Sequence, residues 1–430
     1  MPSRSEVAYF GAGPAPLPTS VIEKSAEAFV NFENTGLSLA EISHRSSTAN
    51  KILADAKEAL TTLYDIPADE YEILFMQAGG TGEFSAALQN LVGAWIEKRR
   101  RKAVRELGEG KDAEVLERVK KEIESELKVD YLVTGSWSLK ASQEATRLIG
   151  AKYVNVALDA RKSNGGKFGK IPDEQEWKLT PRGSAFVYLC DNETVDGVEY
   201  PTFPKSLEGD EQIVVADMSS NFLSRKIDVR KYGIIFGGAQ KNLGIAGITV
   251  VIIRKSLLEL VPPPAFIHDL SPVIPTSGCL PPIMFSFSTI ASNNSLYNTL
   301  PIFNLCVATL VLQQLVATYG SKKVSGQEEV ADKKARILYD TLDAHSDTYR
   351  VVPDSTVRSR MNICFRIVQK QGGDPDDAKE KAFLAGAEKQ GLLGLKGHRS
   401  VGGIRASNYN AVPLENVQKL ADWLVQFAKS

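Results

Sequence analysis

The chain has 430 residues, of which 43% are hydrophobic and 24% are charged. This length and composition predict a large globular protein with two subdomains and exclude a disordered, collagenous or coiled-coil chain. Because 51 Lys and Arg residues are balanced by 52 Asp and Glu residues, the chain lacks the positive charge typical of dedicated nucleic-acid binding proteins. The four cysteines are widely separated and match no zinc or disulfide spacing, so we expect no metal site.

The N-terminus, residues 1–10, carries Arg4 and Glu6 and has no apolar core of signal-peptide length. We therefore expect a cytoplasmic protein. Residues 11–18 are rich in proline and glycine, and this extended stretch could lie across the cleft between two lobes.

Short apolar runs alternate with longer helical patterns through residues 20–300, which predicts a large α/β domain. The runs are almost continuously apolar, as expected for strands that helices cover on both faces, so most of the mixed sheet should be parallel. The predicted strands are residues 72–77, 131–134, 152–157, 185–190, 212–217, 233–236 and 248–253.

Residues 97–128 are densely charged, beginning with three arginines and a lysine at positions 99–102. Mixed charge of this kind is typical of a solvated helix or helical hairpin with ion pairs between successive turns. A basic RNA or phosphate patch is the alternative, but the abundant glutamate argues against it. We interpret the segment as a peripheral insertion without an assigned role.

A smaller α+β domain is predicted for residues 301–430, together with the N-terminal segment 1–19. A Pro-rich stretch at residues 261–282 precedes it, a helix begins near Pro301, and one strand is expected at residues 361–368. The most apolar stretch, residues 300–317, contains a proline, an asparagine and two glutamines. These residues favour a buried helix over a membrane span.

Two His-Arg pairs, His44-Arg45 and His398-Arg399, lie in the two predicted lobes, and Arg405 follows a glycine pair shortly after the second. A guanidinium offers a forked donor to phosphate or carboxylate, and an imidazole adds another donor. The residues could therefore clamp a small dianionic substrate. Surface ion pairs, with Arg405 salt-bridged at a strand end, are the alternative.

Three strand ends carry residues that suit pyridoxal phosphate. Gly80 and Thr81 lie in a glycine-rich turn between a strand and a helix, where backbone N–H groups can bind a phosphate, although such turns are often only turns. Asp217 ends a strand at the edge where open α/β sheets bind ligands, and Lys241 follows the next strand. The cofactor needs a lysine for its Schiff base and an anion that keeps its pyridine nitrogen protonated.

Trp137 and Thr194 directly follow two further strands. Trp137 could supply an aromatic face for the cofactor ring, although a core tryptophan is the ordinary interpretation. Thr194 adds a hydroxyl at the same sheet edge. Five strand ends thus point to one crevice.

With these residues in place, the chain resembles the phosphoserine aminotransferase family, class V pyridoxal phosphate enzymes of fold type I. The resemblance covers nearly the whole chain. It rests on Phe10-Gly11-Ala12-Gly13-Pro14-Ala15, Ile42-Ser43-His44-Arg45-Ser46, Gly135-Ser136-Trp137, Asn192-Glu193-Thr194-Val195-Asp196-Gly197, Ala216-Asp217-Met218-Ser219-Ser220, Gly238-Ala239-Gln240-Lys241-Asn242, Tyr297-Asn298-Thr299, Gly397-His398-Arg399 and Arg405-Ala406-Ser407.

The resemblance implies that Lys241 binds the cofactor and moves the proton, while Asp217 pairs with the pyridine nitrogen. Trp137 would stack on the ring, and Thr194 would bond its phenolic oxygen. Ser219 is also assigned to the cofactor site. The phosphate would be held by Gly80, Thr81, Gln240 and the partner subunit's Asn298 and Thr299.

For the substrate, the resemblance implies that Arg405 holds the α-carboxylate. His44, Arg45, His398 and Arg399 would bind the distal phosphate or carboxylate, with one pair coming from the partner subunit of a homodimer. The implied reaction is reversible amino transfer from L-glutamate to 3-phosphohydroxypyruvate, giving O-phospho-L-serine and 2-oxoglutarate in serine biosynthesis. Neither nucleic acid nor a membrane is expected as a partner.

Two alternatives remain at this stage. The first is another class V enzyme, such as an alanine-glyoxylate aminotransferase or a cysteine desulfurase, although neither Cys279 nor Cys364 lies in an obvious desulfurase motif. The second is a non-catalytic module with the same fold. The chain also departs from many relatives at Ala12, where they carry serine, and the sequence leaves open whether phosphorylated four-carbon keto acids are substrates.

Overall fold

The computed structural model describes residues 3–181, 183–209 and 212–430; Met1 and Pro2, which belong to the predicted N-terminal segment, lie outside them. The helices are α1 (Thr19–Val30), α2 (Ser47–Tyr64), α3 (Gly79–Leu107), α4 (Asp112–Glu126), α5 (Ser136–Ile149), α6 (Lys255–Leu258), α7 (Pro264–Asp269), α8 (Phe287–Ser292), α9 (Ile302–Tyr319), α10 (Val324–Ala344), α11 (Asp377–Lys389) and α12 (Leu414–Ala428). The strands are β1 (Ala8–Tyr9), β2 (Tyr71–Met76), β3 (Val129–Val133), β4 (Val154–Asp159), β5 (Val187–Cys190), β6 (Asn192–Glu193), β7 (Val198–Glu199), β8 (Val214–Asp217), β9 (Ile234–Gly238), β10 (Thr249–Arg254), β11 (Tyr349–Val351), β12 (Asn362–Ile367), β13 (Leu392–Leu393) and β14 (Ile404–Ser407).

The central sheet has seven strands in the order β2-β10-β9-β8-β5-β3-β4. Strand β10 runs antiparallel to both of its neighbours, and the remaining neighbouring pairs are parallel. All seven predicted strands are confirmed, each within two residues of its expected bounds. The prediction of a mixed, mostly parallel α/β sheet is therefore correct.

Both faces of the central sheet are buried because successive side chains of a strand point to opposite faces. In β2, Ile73 and Phe75 belong to one hydrophobic cluster, while Leu74 and Met76 belong to the other. The β10 residues divide between the two clusters in the same alternating way. The continuous apolar runs in the sequence are the consequence of this double burial.

A second, antiparallel sheet of order β11-β12-β14 lies in the C-terminal part of the chain. Its core packs Phe365, Phe383 and Trp423 with residues of α10 and α12. The N-terminal β1 pairs in parallel with β13, Ala8 opposite Leu392, and so joins the start of the chain to this part. The domain bounds at residues 20 and 300 stay a prediction.

Helix α9 begins one residue after Pro301, as the sequence predicts. Among the described residues, the segment Ile302–Lys322 is the one helix long and apolar enough to cross a membrane by length and composition. It contacts α1 and α2, and Leu305, Ala308 and Leu312 lie in the core.

The charged segment forms a helical hairpin from the second half of α3 and α4, as predicted. The two helices are joined by ion pairs of Arg99 with Glu122 and Glu126 and of Arg118 with Glu106. Apolar residues of α4, Val115, Val119 and Ile123, pack into the core cluster of the sheet. The hairpin is therefore anchored by burial as well as by charge.

Candidate active site

The predicted site residues lie at the carboxyl ends of adjacent strands. Strand β8 ends at Asp217, and its neighbour β9 ends three residues before Lys241. On the other side of β8, strand β5 is followed by Thr194. The carboxyl ends of parallel strands share one edge of the sheet, where open α/β folds form their ligand crevice.

Thr194 contacts two positively charged side chains. The Nζ atom of Lys241 donates a hydrogen bond to its Oγ1 over 2.8 Å, and Nη1 of Arg405 donates to its carbonyl oxygen over 3.2 Å. Arg405 comes from β14 of the C-terminal sheet. The contact therefore brings a side chain of that sheet to the edge of the central one.

Asp217 is a buried carboxylate held in a fixed orientation by Ser219. Its Oδ1 accepts hydrogen bonds from the Ser219 backbone N–H over 2.9 Å and from the hydroxyl over 2.6 Å. The Ser219 hydroxyl oxygen in turn accepts from the Gly238 N–H. Burial raises the pKa of Asp217, while the Ser219 hydrogen bonds and the Lys241 charge act in the opposite direction.

The glycine-rich turn at the start of α3 lies against Asp217. A Cβ atom on Gly80 would be 3.7 Å from Asp217 Oδ2 and 3.6 Å from Ser219 Oγ. Gly79 has a left-handed φ of +60° and its N–H donates to Thr249 on β10. The first N–H groups of α3 therefore lie near the buried carboxylate. N–H groups at the start of a helix can bind an anion.

Trp137 lies at the N-terminus of α5. Two carboxylates from a distant part of the chain cap this helix. Glu193 accepts hydrogen bonds from the N–H groups of Trp137 and Ser138, and Asp196 accepts from that of Ser136. The sequence analysis gave these two carboxylates no role, although both stand in the motif that contains Thr194.

Glycine at position 135 permits this cap, because a Cβ there would overlap the Glu193 side chain. Burial, and then the charge of Asp196, raise the pKa of Glu193 to about 7, although the hydrogen bonds that Glu193 accepts favour its ionised form.

Three cationic side chains, Arg405, Lys140 and Arg399, lie near His398. Burial lowers the pKa of His398, and the charges of Arg405, Lys140 and Arg399 lower it further. The Nζ atom of Lys140 also lies 4.2 Å from the centre of the Trp137 ring. Lys140 was not among the predicted residues, although its position three residues after Trp137 in a helix could have indicated that the two side chains meet.

The other predicted anion-binding pair, His44 and Arg45, lies just before α2. Arg45 is exposed, and Nε2 of His44 is buried without a hydrogen-bond partner. Within the described part of this single chain, no hydrogen bond or ion pair joins them to His398 or Arg399.

The last predicted residues contact the end of strand β2. Asn298 donates a hydrogen bond to the Gln77 side chain, whose amide donates to the Thr299 carbonyl over 2.7 Å. Gln240 lies in the turn between β9 and Lys241, where its carbonyl accepts from the Ala15 N–H.

The residues present fit pyridoxal phosphate. A Cβ at Gly80 would fill part of the space in front of Asp217, Oδ2 of Asp217 points toward this space, and the buried Trp137 Nε1 has no partner among the described residues. A buried carboxylate, a lysine and a glycine turn suit the pyridine nitrogen, the aldehyde carbon and the phosphate respectively.

Comparison with known proteins identifies relatives over almost the whole chain. The family model described as Aminotransferase class-V matches residues 7–161 and 108–420. A phosphoserine aminotransferase of Saccharomyces cerevisiae is 44% identical over 99% of this chain and 98% of its own length, and one of Drosophila melanogaster is 40% identical over 98% of each.

Solved structures agree with the sequence comparison. Phosphoserine aminotransferase from Bacillus circulans subsp. alkalophilus superposes with a TM-score of 0.78 at 33% identity, covering 98% of each chain. The pyridoxal phosphate-bound phosphoserine aminotransferase of Trichomonas vaginalis has a TM-score of 0.77 at 32% identity, covering 97% of this chain and 99% of its own.

Proposed function

This chain belongs to the phosphoserine aminotransferase family of class V, fold type I pyridoxal phosphate enzymes, and we propose that it transfers the amino group of L-glutamate to 3-phosphohydroxypyruvate. The products are O-phospho-L-serine and 2-oxoglutarate, in serine biosynthesis. The observation that carries the proposal is the convergence of Lys241 and Arg405 on Thr194 beside the buried Asp217.

Pyridoxal phosphate, when bound, supplies an electron sink that stabilises negative charge at the substrate Cα. Asp217 would hold the pyridine nitrogen by its charge, and Ser219 keeps this carboxylate in one orientation. Trp137 would cover one face of the ring, and the Thr194 hydroxyl would bond the phenolic oxygen. Gly80, Thr81 and Gln240 would bind the phosphate, joined by the partner subunit's Asn298 and Thr299.

Lys241 is the attachment point of the cofactor and the base in this proposal. Its amine would take the proton from the substrate Cα and deliver it to the cofactor, and would move it back in the reverse reaction. The hydrogen bond to Thr194 Oγ1 holds the Lys241 amine at the sheet edge. The amine that moves the proton therefore has a fixed position. The same amine can move the proton in both directions of the transfer.

The cationic side chains select the substrates. Arg405 would hold the α-carboxylate that every substrate shares, and His398 and Arg399 would hold the distal phosphate or γ-carboxylate through forked, charge-assisted hydrogen bonds. We propose that the second pair, His44 and Arg45, reaches this site from the partner subunit of a homodimer. The exposure of Arg45 supports this arrangement, because an exposed guanidinium can contact a second subunit.

Two further points complete the proposal. Exposed apolar side chains on α1, such as Phe29 and Val30, and near α8, such as Ile283, would be covered in the dimer. We further propose a cytoplasmic location, which suits four cysteines that are all unpaired.

The visible absorption spectrum of the purified protein tests the proposed reaction. Glutamate should discharge the band of the lysine-bound cofactor, and 3-phosphohydroxypyruvate should restore it. Restoration by glyoxylate or pyruvate alone would mean that the chemistry is right and the substrate wrong, as in an alanine-glyoxylate aminotransferase. In Lys241→Ala, turnover should be abolished, and turnover comparable to wild type would refute the role of Lys241.

A further inference from the structure

Glu83, in the first turns of α3, is a fully buried carboxyl that the proposed reaction does not use. Neither of its side-chain oxygens has a hydrogen-bond partner among the described residues. A buried carboxylate without a partner is strongly unfavourable, because nothing replaces the water that solvates its charge.

The charged group that acts on Glu83 is Asp217 on β8. Gly80 and Glu83 are three residues apart on α3 and so lie on the same face of the helix. A Cβ on Gly80 would lie 3.7 Å from Asp217 Oδ2, so this face is directed toward Asp217. Two buried carboxyls so placed cannot both ionise readily, because each charge disfavours the other in a dry site.

Within the described part of the chain, no hydrogen bond or ion pair joins Glu83 to a cation on the other elements that pack against α3. Strand β9 carries no ionisable side chain. Glu144 on α5 is hydrogen-bonded to Ser85 and Arg147. On β10, Thr249 bonds Gly79 near the start of α3, and Arg254 lies at the opposite end of that strand. The turn at Thr276–Gly278 has no ionisable residue, and the ion pairs with α4 start at Arg99.

The proton belongs on Glu83 rather than on Asp217. Asp217 accepts two hydrogen bonds from Ser219, and the Lys241 charge favours its ionised form. Glu83 has neither kind of support, and burial, followed by the Asp217 charge, raises the pKa of Glu83 to about 8.

We propose that Glu83 is a positioning residue of the cofactor site, which keeps a proton at neutral pH and so leaves Asp217 as the one negative charge beside the glycine turn. This inference rests on the proposed function, in which that turn binds the cofactor phosphate. Ionised Glu83 would place a second carboxylate about one helical turn from Gly80 and repel the phosphate through a dry, weakly screening interior. Cofactor affinity should therefore fall at alkaline pH.

Cofactor binding to the apoprotein tests this. The dissociation constant of pyridoxal phosphate is measured by quenching of tryptophan fluorescence between pH 6.5 and 9.5, for wild type and Glu83→Gln. The two proteins should agree within about threefold at pH 7, where both side chains are neutral, and at pH 9.5 wild type should bind about tenfold more weakly than the variant. A parallel loss of affinity in both proteins would overturn the proposal.

Glu97→Gln is the matched control. Glu97 is equally buried on the same helix, but its carboxylate is paired with Arg100 and Arg101. Its binding constants should follow those of wild type at every pH. Divergence of this control in the same manner as Glu83→Gln would also overturn the proposal.

Infrared spectra of the apoprotein give a direct second measurement. At pH 7 wild type should show an absorption band of a protonated carboxyl that Glu83→Gln lacks, and the band should disappear as pH passes about 8. Glu83→Met, which also cannot ionise, serves if the glutamine variant does not fold. Equal spectra at pH 7 would refute the protonated Glu83. Neither measurement involves an amino acceptor, so a wrong substrate assignment would leave both results unchanged.

Discussion

In the proposed reaction, different residues of the crevice recognise the two ends of a substrate. Arg405 is held by Thr194 next to Lys241, where an α-carboxylate common to all substrates would bind. The His-Arg pairs lie farther from Lys241 in the proposal and meet only the distal anion. Specificity and general binding are thus assigned to different arginines.

Substitution of Arg45 tests this division. Arg45→Ala should lower kcat/KM for phosphoserine about a hundredfold, because the distal anion loses a forked, charge-assisted bond of roughly 2–3 kcal/mol. The same variant should leave the slow reaction of alanine nearly unchanged, since alanine has no distal anion. Arg405→Ala is the comparison, in which steady-state kinetics should show losses for both substrates. Equal losses in Arg45→Ala would contradict the distal clamp.

The proton on Glu83 has a consequence for stability as well as for binding. The pKa of about 8 in the folded protein lies above the ordinary value of 4.5, so the folded state keeps a proton that the unfolded chain releases between these pH values. The contribution of Glu83 to stability is therefore fully present below about pH 4.5 and is lost as pH rises to about 8.

Glu83→Gln should remove this pH dependence. Relative to wild type, the variant should gain unfolding free energy between pH 5 and pH 8, by at most about 1.4 kcal/mol for each pH unit. Urea unfolding of the two apoproteins across this range measures the difference. A difference that does not change with pH would show that Glu83 does not titrate in this window.

At the scale of elements, the strands could be predicted from the sequence, but the long-range contacts between elements could not. Buried parallel strands need unbroken apolar runs, so seven short runs identified the central sheet. The cap on α5 depends on Glu193, which is more than fifty residues away in sequence, and no local pattern reports such a contact. Glu83 was missed because a glutamate in a helix is ordinarily exposed.

The segment from Asn408 to Val412, which follows β14, depends on a buried lysine of α10. The Nζ atom of Lys334 lies 2.8 and 3.0 Å from the carbonyl oxygens of Tyr409 and Val412 and 3.4 Å from those of Asn408 and Asn410, so these four acceptors share its N–H donors. Within this segment the Tyr409 hydroxyl donates to the Ala12 carbonyl, and the Asn410 N–H donates to the side chain of Asn242, the neighbour of Lys241. Lys334 therefore connects α10 to the surroundings of the active site.

Removal of the Lys334 amine should make the folded chain less stable. Lys334→Met removes the N–H donors that these carbonyls share and should lower the free energy of unfolding by about 2–4 kcal/mol. Lys333→Met, at the exposed neighbouring position, should change it by less than about 0.5 kcal/mol. Urea unfolding compares the two variants, and equal effects would contradict the role of the carbonyl cluster.

For the whole molecule, the question is whether one chain can form a complete site. The sequence identified both His-Arg pairs. It could not show whether each pair serves the site of its own chain or that of the partner subunit, since that depends on the arrangement of subunits. In the proposed homodimer, Lys241 and Arg405 of one subunit act with His44 and Arg45 of the partner subunit. The charge of −1 on the whole chain is compatible with such a site because the cations are concentrated locally.

Mixing two inactive proteins tests the shared site. Lys241→Ala and Arg45→Ala homodimers should each be nearly inactive with phosphoserine. After denaturation, mixing and refolding in equal amounts, half of the dimers combine one subunit of each kind, and one of their two sites receives an intact Lys241 and an intact Arg45. About one quarter of wild-type activity should then return, whereas each variant refolded alone stays inactive. If the mixture also stays inactive while light scattering shows dimers, Arg45 serves the site of its own chain.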